Sequence, residues 1–150
     1  KDINKNNIRM RIIGSLDLLS NSVKNELVNA SNLTFRNDGL NLNLAISYGS
    51  KTEIINALKK ITEKVKKNII SIENIDEKLI NEHLYTKISK DVDLLIRTGG
   101  EFRLSNFLLW QNSYAELLFY DMLWPDFRKK DFYESILTFQ KRNRRFGKTN

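Results

Sequence analysis

The sequence contains no cysteine, which excludes both a disulfide framework and a thiolate metal site. It has a single proline, Pro125, and no Gly/Ser-rich linker, so its composition marks no domain boundary. No apolar run approaches the roughly 18 to 20 residues that a transmembrane helix needs. The 150 residues are therefore predicted to form one domain over residues 1–150.

Histidine is nearly absent as well. The only one, His83, lies in a predicted helix beside Asn81, Glu82 and Tyr85. A surface or capping role is a far commoner use of such a histidine than catalysis. His83 is therefore not a candidate catalytic residue.

Basic residues are in excess, with 25 Lys and Arg against 18 Asp and Glu and a formal net charge of +7. Such a balance suits an anionic partner: nucleic acid, a diphosphate or an acidic membrane surface. Ordinary solvated surface explains it too, and the lysines between residues 51 and 67 are most simply a solvated helix face that also suits an anionic membrane. No nucleic-acid partner is expected, because no recognised DNA- or RNA-binding motif is present.

The apolar residues switch repeatedly between the two-residue period of strands and the 3.6-residue period of helices. This alternation predicts an α/β fold with a mainly parallel sheet flanked by helices. The predicted strands cover residues 8–13, 40–48, 92–96 and 117–120. The predicted helices are one that Ser15 caps, one after Gly49, and those over residues 76–85, 106–115 (with Ser105 as cap) and 131–144.

The ends of the predicted strands carry the candidate chemistry, because ligands of open parallel sheets bind beyond the carboxyl ends of the strands. Small or polar residues follow three strands, at residues 14–15, 47–51 and 97–101. The third end is the richest. It begins with Arg97, and Gly99 and Gly100 allow a sharp turn and a close approach to a ligand.

Residues 97–105 have the composition of an anion site. Arg97 and Arg103 carry planar, permanently charged guanidinium groups that suit phosphate oxygens, and Ser105 adds a hydroxyl. The helix predicted to begin at Asn106 would add free N–H groups. This set suits a diphosphate better than a monocarboxylate. A second interpretation stays open, in which the arginines simply pair with local acids such as Glu101 and Asp93.

Glu116 is the other candidate. It lies between an apolar stretch and an apolar strand and is therefore expected to be partly buried. A buried carboxylate is usually paired or metal-bound, and Mg²⁺ is typically held by one or two carboxylates and by substrate phosphate oxygens. An ordinary ion pair with an arginine is the alternative.

A long stretch of the chain resembles a known family. Residues 92–127 read VDLLIRTGGEFRLSNFLLWQNSYAELLFYDMLWPDF and are similar, almost residue for residue, to the C-terminal signature of bacterial undecaprenyl diphosphate synthases, which are cis-prenyltransferases. The resemblance extends over nearly the whole chain. It includes IRMRIIG from Ile8, LNLNLAISYGSKTEI from Leu40 and the tail RRFG, residues 144–147.

The resemblance implies roles for particular residues. Arg97, Arg103 and Ser105 would hold the diphosphate of isopentenyl diphosphate, and Glu116 would help to bind Mg²⁺. Leu40 would line the deep end of the product tunnel. Arg145 and Gly147 would belong to a C-terminal tail that reaches across the dimer interface towards the partner's site.

The resemblance also implies a reaction and its partners. The family lengthens an allylic diphosphate, with farnesyl diphosphate expected here, by isopentenyl diphosphate units to make a long-chain polyprenyl diphosphate. It implies a homodimer, a cytoplasmic location and peripheral membrane contact. A non-catalytic subunit or truncated form of the same fold is the alternative, against which the retention of Arg97, Arg103, Ser105 and Glu116 argues.

Three departures from the family pattern bear on catalysis. The family's N-terminal segment, with its catalytic Asp, is expected to be absent from this chain, so no catalytic residue is assigned here. Phe102 stands where bacterial members often have a histidine, which excludes a metal role at that position. Ser47, Ser50 and Lys51 replace the commoner Asn, Gly and Arg at the second strand end.

Overall fold

The computed structural model of the chain describes residues 2–89 and 91–147. The chain divides into two compact units, Lys1–Lys90 and Asp91–Asn150. Each unit contains one pair of parallel strands with helices, which confirms the predicted α/β class. A single domain over residues 1–150 stays a prediction.

In its described residues, 2–89, the first unit has two strands and four α-helices. They follow one another as α1 (Asp2–Lys5), β1 (Arg9–Gly14), α2 (Asn21–Leu33), β2 (Asn41–Ile46), α3 (Ser50–Lys66) and α4 (Glu77–His83), with a 3₁₀ turn at Ile72–Asn74. β1 and β2 pair in parallel from Arg9 opposite Asn41 to Gly14 opposite Ile46. A parallel pair needs a crossover, and α2 supplies it.

Polar bonds tie α2 to β1. The N–H of Met10 donates to Thr34 Oγ1 over 3.1 Å, and the Thr34 hydroxyl lies 3.0 Å from the Ala30 carbonyl. Met10 and Ile13 are buried in the core of this unit. β1 then ends at Gly14, whose φ is +100° and whose Cβ, if present, would stand 2.1 Å from the Ile46 carbonyl oxygen. Only glycine fits this strand end.

Helix α3 packs through Ala57 and Ile61, which are almost fully buried. Its Glu53 is also fully buried, and this carboxylate accepts hydrogen bonds from the Tyr85 N–H, over 2.7 Å, and from the Tyr48 hydroxyl. The helix is thereby joined both to the end of β2 and to the segment after α4. Helix α4 lies within the stretch predicted as a helix over residues 76–85, and it begins after Asp76, whose side chain accepts from the Leu79 N–H at 2.7 Å.

The second unit contains β3 (Leu94–Thr98), β4 (Glu116–Tyr120) and α5 (Lys129–Gln140), with a 3₁₀ turn at Trp124–Asp126. β3 and β4 pair in parallel, from Leu94 opposite Glu116 to Thr98 opposite Tyr120. The Tyr120 hydroxyl lies 2.9 Å from Ser135 Oγ, and Ser135 is fully buried. This contact holds α5 on β4.

The predicted start of helix α2 is wrong. Helix α2 begins at Asn21, after Ser20, and not at a cap formed by Ser15. The Ser15 hydroxyl instead donates to the Asp17 carboxylate over 2.7 Å and accepts from the Asp17 N–H over 3.1 Å, a local turn that competes with helix formation.

The helix predicted over residues 106–115 is also absent, and turns take its place. Ser105, Asn106 and Leu108 have φ values of 47°, 63° and 48°, which a right-handed helix does not accept. The Asn112 side chain donates to the Phe107 carbonyl over 3.1 Å, so side-chain bonds replace part of the helical ladder. The helix N-terminus expected beside Ser105 therefore does not exist.

The remaining differences are of element bounds. β2 begins at Asn41, so Leu40 lies just outside it, and β3 ends at Thr98 instead of residue 96. Helix α5 runs from Lys129 to Gln140 and ends before the predicted residue 144. Beyond its end, Arg142 bonds to Glu116 of β4, and Arg144 bonds to Asp93, the residue before β3.

Candidate functional site

The side chain of Arg97 organises the loop after β3. Its Nη1 donates to Ser105 Oγ over 3.0 Å and to the carbonyl of Arg103. Arg97 projects from a strand whose pairing with β4 fixes its backbone, so the bonds hold the loop against a rigid element. The structure thus brings Arg97, Arg103 and Ser105 together.

These three residues line one pocket of about 250 Å³. Its other walls are apolar, formed by Leu95, Ile96, Leu104 and Phe107. A pocket with a charged end and an apolar wall matches a small ligand that joins a diphosphate to a hydrocarbon.

The pairing alternative holds for one of the two arginines, and the anion-site interpretation stays a prediction. Arg103 forms an ion pair with Glu101, as the pairing alternative expects, and both side chains are about half exposed. Arg97 does not pair with Asp93, because that carboxylate is bound by Arg144 at 2.5 Å. Arg97 is therefore held by a carbonyl and a hydroxyl, and none of the ion pairs within residues 2–89 and 91–147 involves it.

The loop backbone contributes turns but few donors. Gly99 and Gly100 have φ values of +94° and +71°, so glycine is needed for the turn. Their N–H groups donate to the carbonyls of Met122, over 2.8 Å, and Tyr120, over 3.0 Å. These two N–H groups are therefore used within the fold, and the side-chain donors of this loop are the guanidinium groups of Arg97 and Arg103 and the Ser105 hydroxyl.

Glu116 lies elsewhere in the same unit, at the first residue of β4 and opposite Leu94. Arg97 is opposite Phe119, three residues further along the pair, so about 10 Å of strand separates the two positions. The Glu116 carboxylate accepts from Arg142 Nη1 at 2.6 Å, and its side chain is 23% exposed. The structure thus shows the ordinary ion pair and does not bring Glu116 to the Arg97 loop.

The donor set around Glu116 does not by itself fit Mg²⁺. A guanidinium group 2.6 Å away takes the position that a cation would occupy. Among the described residues, 2–89 and 91–147, no group of three or more His, Asp or Glu side chains could hold a metal ion. Any metal role of Glu116 requires further ligands and the displacement of Arg142.

The tail after α5 is anchored by Arg144, which the sequence analysis did not single out. Its Nη1 binds Asp93 at 2.5 Å, its Nη2 donates to the Tyr114 carbonyl over 3.3 Å, and its guanidinium group lies 4.5 Å from the centre of the Phe146 ring. The sequence signal was Asp93, the one polar residue in the strand predicted over residues 92–96, but nothing in the sequence identified its partner. Arg145 beside it is exposed, and Gly147 has a φ of +74°.

Leu40 and the second strand end lie in the first unit. Leu40 is 65% exposed and precedes β2, at the opposite end of that strand from residues 47–51. Among the residues that the structure describes, no helix is long and apolar enough to cross a membrane.

Comparison with known proteins gives a direct answer on the family. A family model described as "Putative undecaprenyl diphosphate synthase" matches residues 1–147. The chain belongs to the cis-prenyltransferase family. One relative is the ditrans,polycis-undecaprenyl-diphosphate synthase ((2E,6E)-farnesyl-diphosphate specific) of Haemophilus influenzae. The chain is 48% identical to it over 149 residues, which are 99% of this chain and 62% of that protein. It is 47% identical to the isoprenyl transferase of Bacillus subtilis, covering 94% of this chain and 54% of that protein.

Solved cis-prenyltransferases confirm the fold. The chain matches lavandulyl diphosphate synthase from Lavandula x intermedia, solved in complex with dimethylallyl diphosphate, with a TM-score of 0.90 and 37% identity over 94% of this chain and 61% of that one. A probable undecaprenyl diphosphate synthase from Campylobacter jejuni gives a TM-score of 0.81 and 41% identity over 96% of this chain and 65% of that one. The chain therefore spans about three fifths of the length of these relatives.

Proposed function

We propose that this chain supplies the isopentenyl diphosphate side of a cis-prenyltransferase that lengthens an allylic diphosphate into a long-chain polyprenyl diphosphate. The observation that carries the proposal is the arrangement of Arg97, whose bonds gather Arg103 and Ser105 around one pocket after β3. The family membership supports the reaction class.

In this proposal the two guanidinium groups take the diphosphate oxygens, and the Ser105 hydroxyl turns to donate to one of them. The apolar wall of Leu104 and Phe107 receives the isopentenyl carbons. The isopentenyl double bond attacks the allylic carbon, the allylic C–O bond breaks with release of diphosphate, and a proton is lost to give the new alkene. The chain's own contribution is to position the acceptor.

The allylic starter is proposed to be farnesyl diphosphate, because several relatives at 43–48% identity carry farnesyl diphosphate specificity in their names. The catalytic Asp is expected in a segment outside the residues of this chain. No residue here is assigned to activate the leaving diphosphate.

Glu116 stays a predicted Mg²⁺ ligand. Its support is its partial burial and its place in the family signature, and the Arg142 ion pair argues against it in the state described. A second carboxylate and the substrate phosphate oxygens would have to complete such a site.

A homodimer, with Arg145 and Gly147 reaching the partner's site, is proposed on the same family grounds. The anchoring of Arg144 supports it, because that residue holds the tail while Arg145 stays exposed. Leu40 as a tunnel residue, the cytoplasmic location and peripheral membrane contact remain predictions of the resemblance.

The direct test measures steady-state kinetics of Arg97→Ala and Arg103→Ala in the full-length protein, with farnesyl diphosphate, isopentenyl diphosphate and Mg²⁺. Each charged hydrogen bond that is lost contributes about 1.5 to 3 kcal/mol, so kcat/KM for isopentenyl diphosphate should fall by about tenfold or more. Arg36→Ala removes an exposed arginine of the other unit and serves as the control. Unchanged kinetics in both loop variants would refute the assignment.

The non-catalytic alternative is distinguished by a second measurement. Calorimetric titration of the wild-type chain with isopentenyl diphosphate reports binding without turnover. Binding that Arg97→Ala abolishes, together with no turnover of the full-length protein under any pairing of substrates, would identify a non-catalytic subunit.

A further inference from the structure

A second cluster of cationic side chains lies in the first unit and shares no residue with the Arg97 loop. The last turns of α3 and the segment at residues 82–87 line an open pocket of about 630 Å³. Four lysines and two glutamates line it together with His83, so positive charge is in excess. The charged residues are Lys60, Lys64, Lys67, Lys87, Glu63 and Glu82.

The single histidine of the chain orients one of these lysines. His83 Nδ1 lies 2.7 Å from the Leu79 carbonyl oxygen, and His83 Nε2 lies 2.8 Å from Lys64 Nζ. A carbonyl only accepts, so Nδ1 carries the ring hydrogen and Nε2 accepts from the Lys64 ammonium group. Lys64 is therefore held in place by a neutral partner and keeps two N–H donors for another ligand.

The other lysines converge on the same space from two segments. Lys60 lies one helical turn before Lys64 on α3, with its ammonium group 5.9 Å from the centre of the Tyr85 ring. Lys67 follows the end of α3, and Lys87 comes from the segment after α4. Within residues 2–89 and 91–147, no carboxylate lies within 4 Å of any of these four ammonium groups.

The helix dipole explains only part of this arrangement. Cations at the end of a helix are stabilised by its partial negative charge, which accounts for Lys64 and Lys67. It does not account for Lys87, which lies after α4. Nor does it account for the contact between His83 Nε2 and the Lys64 ammonium group. The pocket floor is the buried Leu84, and its rim includes Ile69, which is 65% exposed.

We propose that this α3–α4 lysine pocket, formed by Lys60, Lys64, Lys67, Lys87 and His83, binds a phosphate-bearing anion. Several ammonium groups without acidic partners match the several oxygens of one phosphate group, and the apolar rim at Ile69 suits the carbon atoms to which that phosphate is attached. The same chemistry is offered by a free phosphate and by the headgroup of an anionic phospholipid. The pocket shares no residue with the Arg97 loop, so its function does not depend on the prenyltransferase proposal.

His83 makes the test specific, because any imidazole signal of this chain reports on the pocket. The full chain, labelled with ¹⁵N-histidine, is titrated with inorganic phosphate while the Nε2 resonance is followed by NMR. In a second arm, co-sedimentation is measured with phosphatidylcholine vesicles that contain or lack phosphatidylglycerol. A saturable Nε2 shift supports a free-anion site, and co-sedimentation with anionic vesicles alone supports a lipid headgroup site.

Matched variants separate the pocket from general charge. Lys60→Gln with Lys64→Gln removes two pocket lysines, and Lys59→Gln with Lys66→Gln removes two exposed lysines of α3 that do not line it. Binding should weaken by about tenfold or more in the first pair and by no more than about twofold in the second. Lys87→Gln, outside the helix, should also weaken binding and guards against a folding defect in α3.

Two results would overturn the proposal. One is the absence of any Nε2 shift with phosphate together with the absence of co-sedimentation with anionic vesicles. The other is an equal loss of binding in the pocket pair and in the Lys59 and Lys66 pair, which would show that only the overall charge of α3 matters.

Discussion

The chain has two cationic sites that differ in how their charges are held. In the loop after β3, the Arg97 guanidinium group is bound to a backbone carbonyl and to Ser105, and it projects from a paired strand. In the α3–α4 lysine pocket, ammonium groups on flexible stems converge from two segments, and Lys64 has a bonded partner, His83.

The two sites differ in whether the direction of their hydrogen-bond donors is fixed. A guanidinium group is a rigid fork, so fixing it fixes the direction of several donors at once. An ammonium group is a compact charge whose donors rotate freely. If both proposals hold, the arginine loop orients its ligand through fixed donors, whereas the lysine pocket attracts its ligand through charge.

The largest effect is expected from Arg97→Lys. Lysine keeps the charge, but it cannot bond to the Arg103 carbonyl and to Ser105 while also presenting two parallel donors. Affinity for isopentenyl diphosphate, measured by calorimetry, should fall by about tenfold or more, nearly as far as in Arg97→Ala. Wild-type affinity in Arg97→Lys would instead show that the loop, like the lysine pocket, needs only positive charge to bind its ligand.

A smaller effect, of opposite sign, is expected from Glu101→Gln. The Glu101 carboxylate pairs with Arg103 and competes with an incoming anion, but both side chains are about half exposed. An exposed ion pair contributes about 1 kcal/mol or less, so affinity for isopentenyl diphosphate should rise by no more than about fivefold. Glu134→Gln, which breaks the exposed pair with Lys130, is the control and should leave that affinity unchanged.

The smallest effect is expected from Lys64→Arg. If the lysine pocket depends on charge, an arginine should retain phosphate binding within about twofold of the wild type. The measurement is the phosphate titration of the His83 Nε2 resonance. A loss as large as that in Lys64→Gln would instead show that the pocket, like the loop, depends on donor geometry.

The sequence predicted the alternation of strands and helices well where the apolar pattern was regular. All four strands and the helices α3 and α4 occur close to their predicted positions. Their period reflects a local choice, because alternate residues of a strand and every third or fourth residue of a helix share a face. The end of β1 at Gly14 is likewise a local property, set by a residue that tolerates a positive φ.

The stretch from Ser105 to Ala115 shows where this reasoning fails. It is mostly apolar and was predicted as a helix, yet three of its first residues have positive φ values. Apolar composition without a clear period does not separate a helix from packed turns. The bonds of Asn112 and of Arg97 decide the conformation, and they depend on which segments pack together.

The candidate site divides in the same way. Arg97, Arg103 and Ser105 were predicted together because they are close in sequence and follow one strand, and the structure brings them to one pocket. The partner of Glu116 could not be chosen from the sequence, because Arg142 lies 26 residues away. Nor could the pairing of Arg144 with Asp93, 51 residues away, be anticipated.

The sequence by itself thus determined the α/β class, the family and the grouping of Arg97, Arg103 and Ser105 after one strand, because each of these depends on local composition and spacing. Tertiary structure alone decided which acid neutralises which arginine, which apolar stretch forms a helix, and that Lys60, Lys64 and Lys87 share one pocket with His83. The physical reason is the distance along the chain over which each interaction acts. Backbone preferences act over a few residues, whereas ion pairs and pockets join segments that only folding brings together.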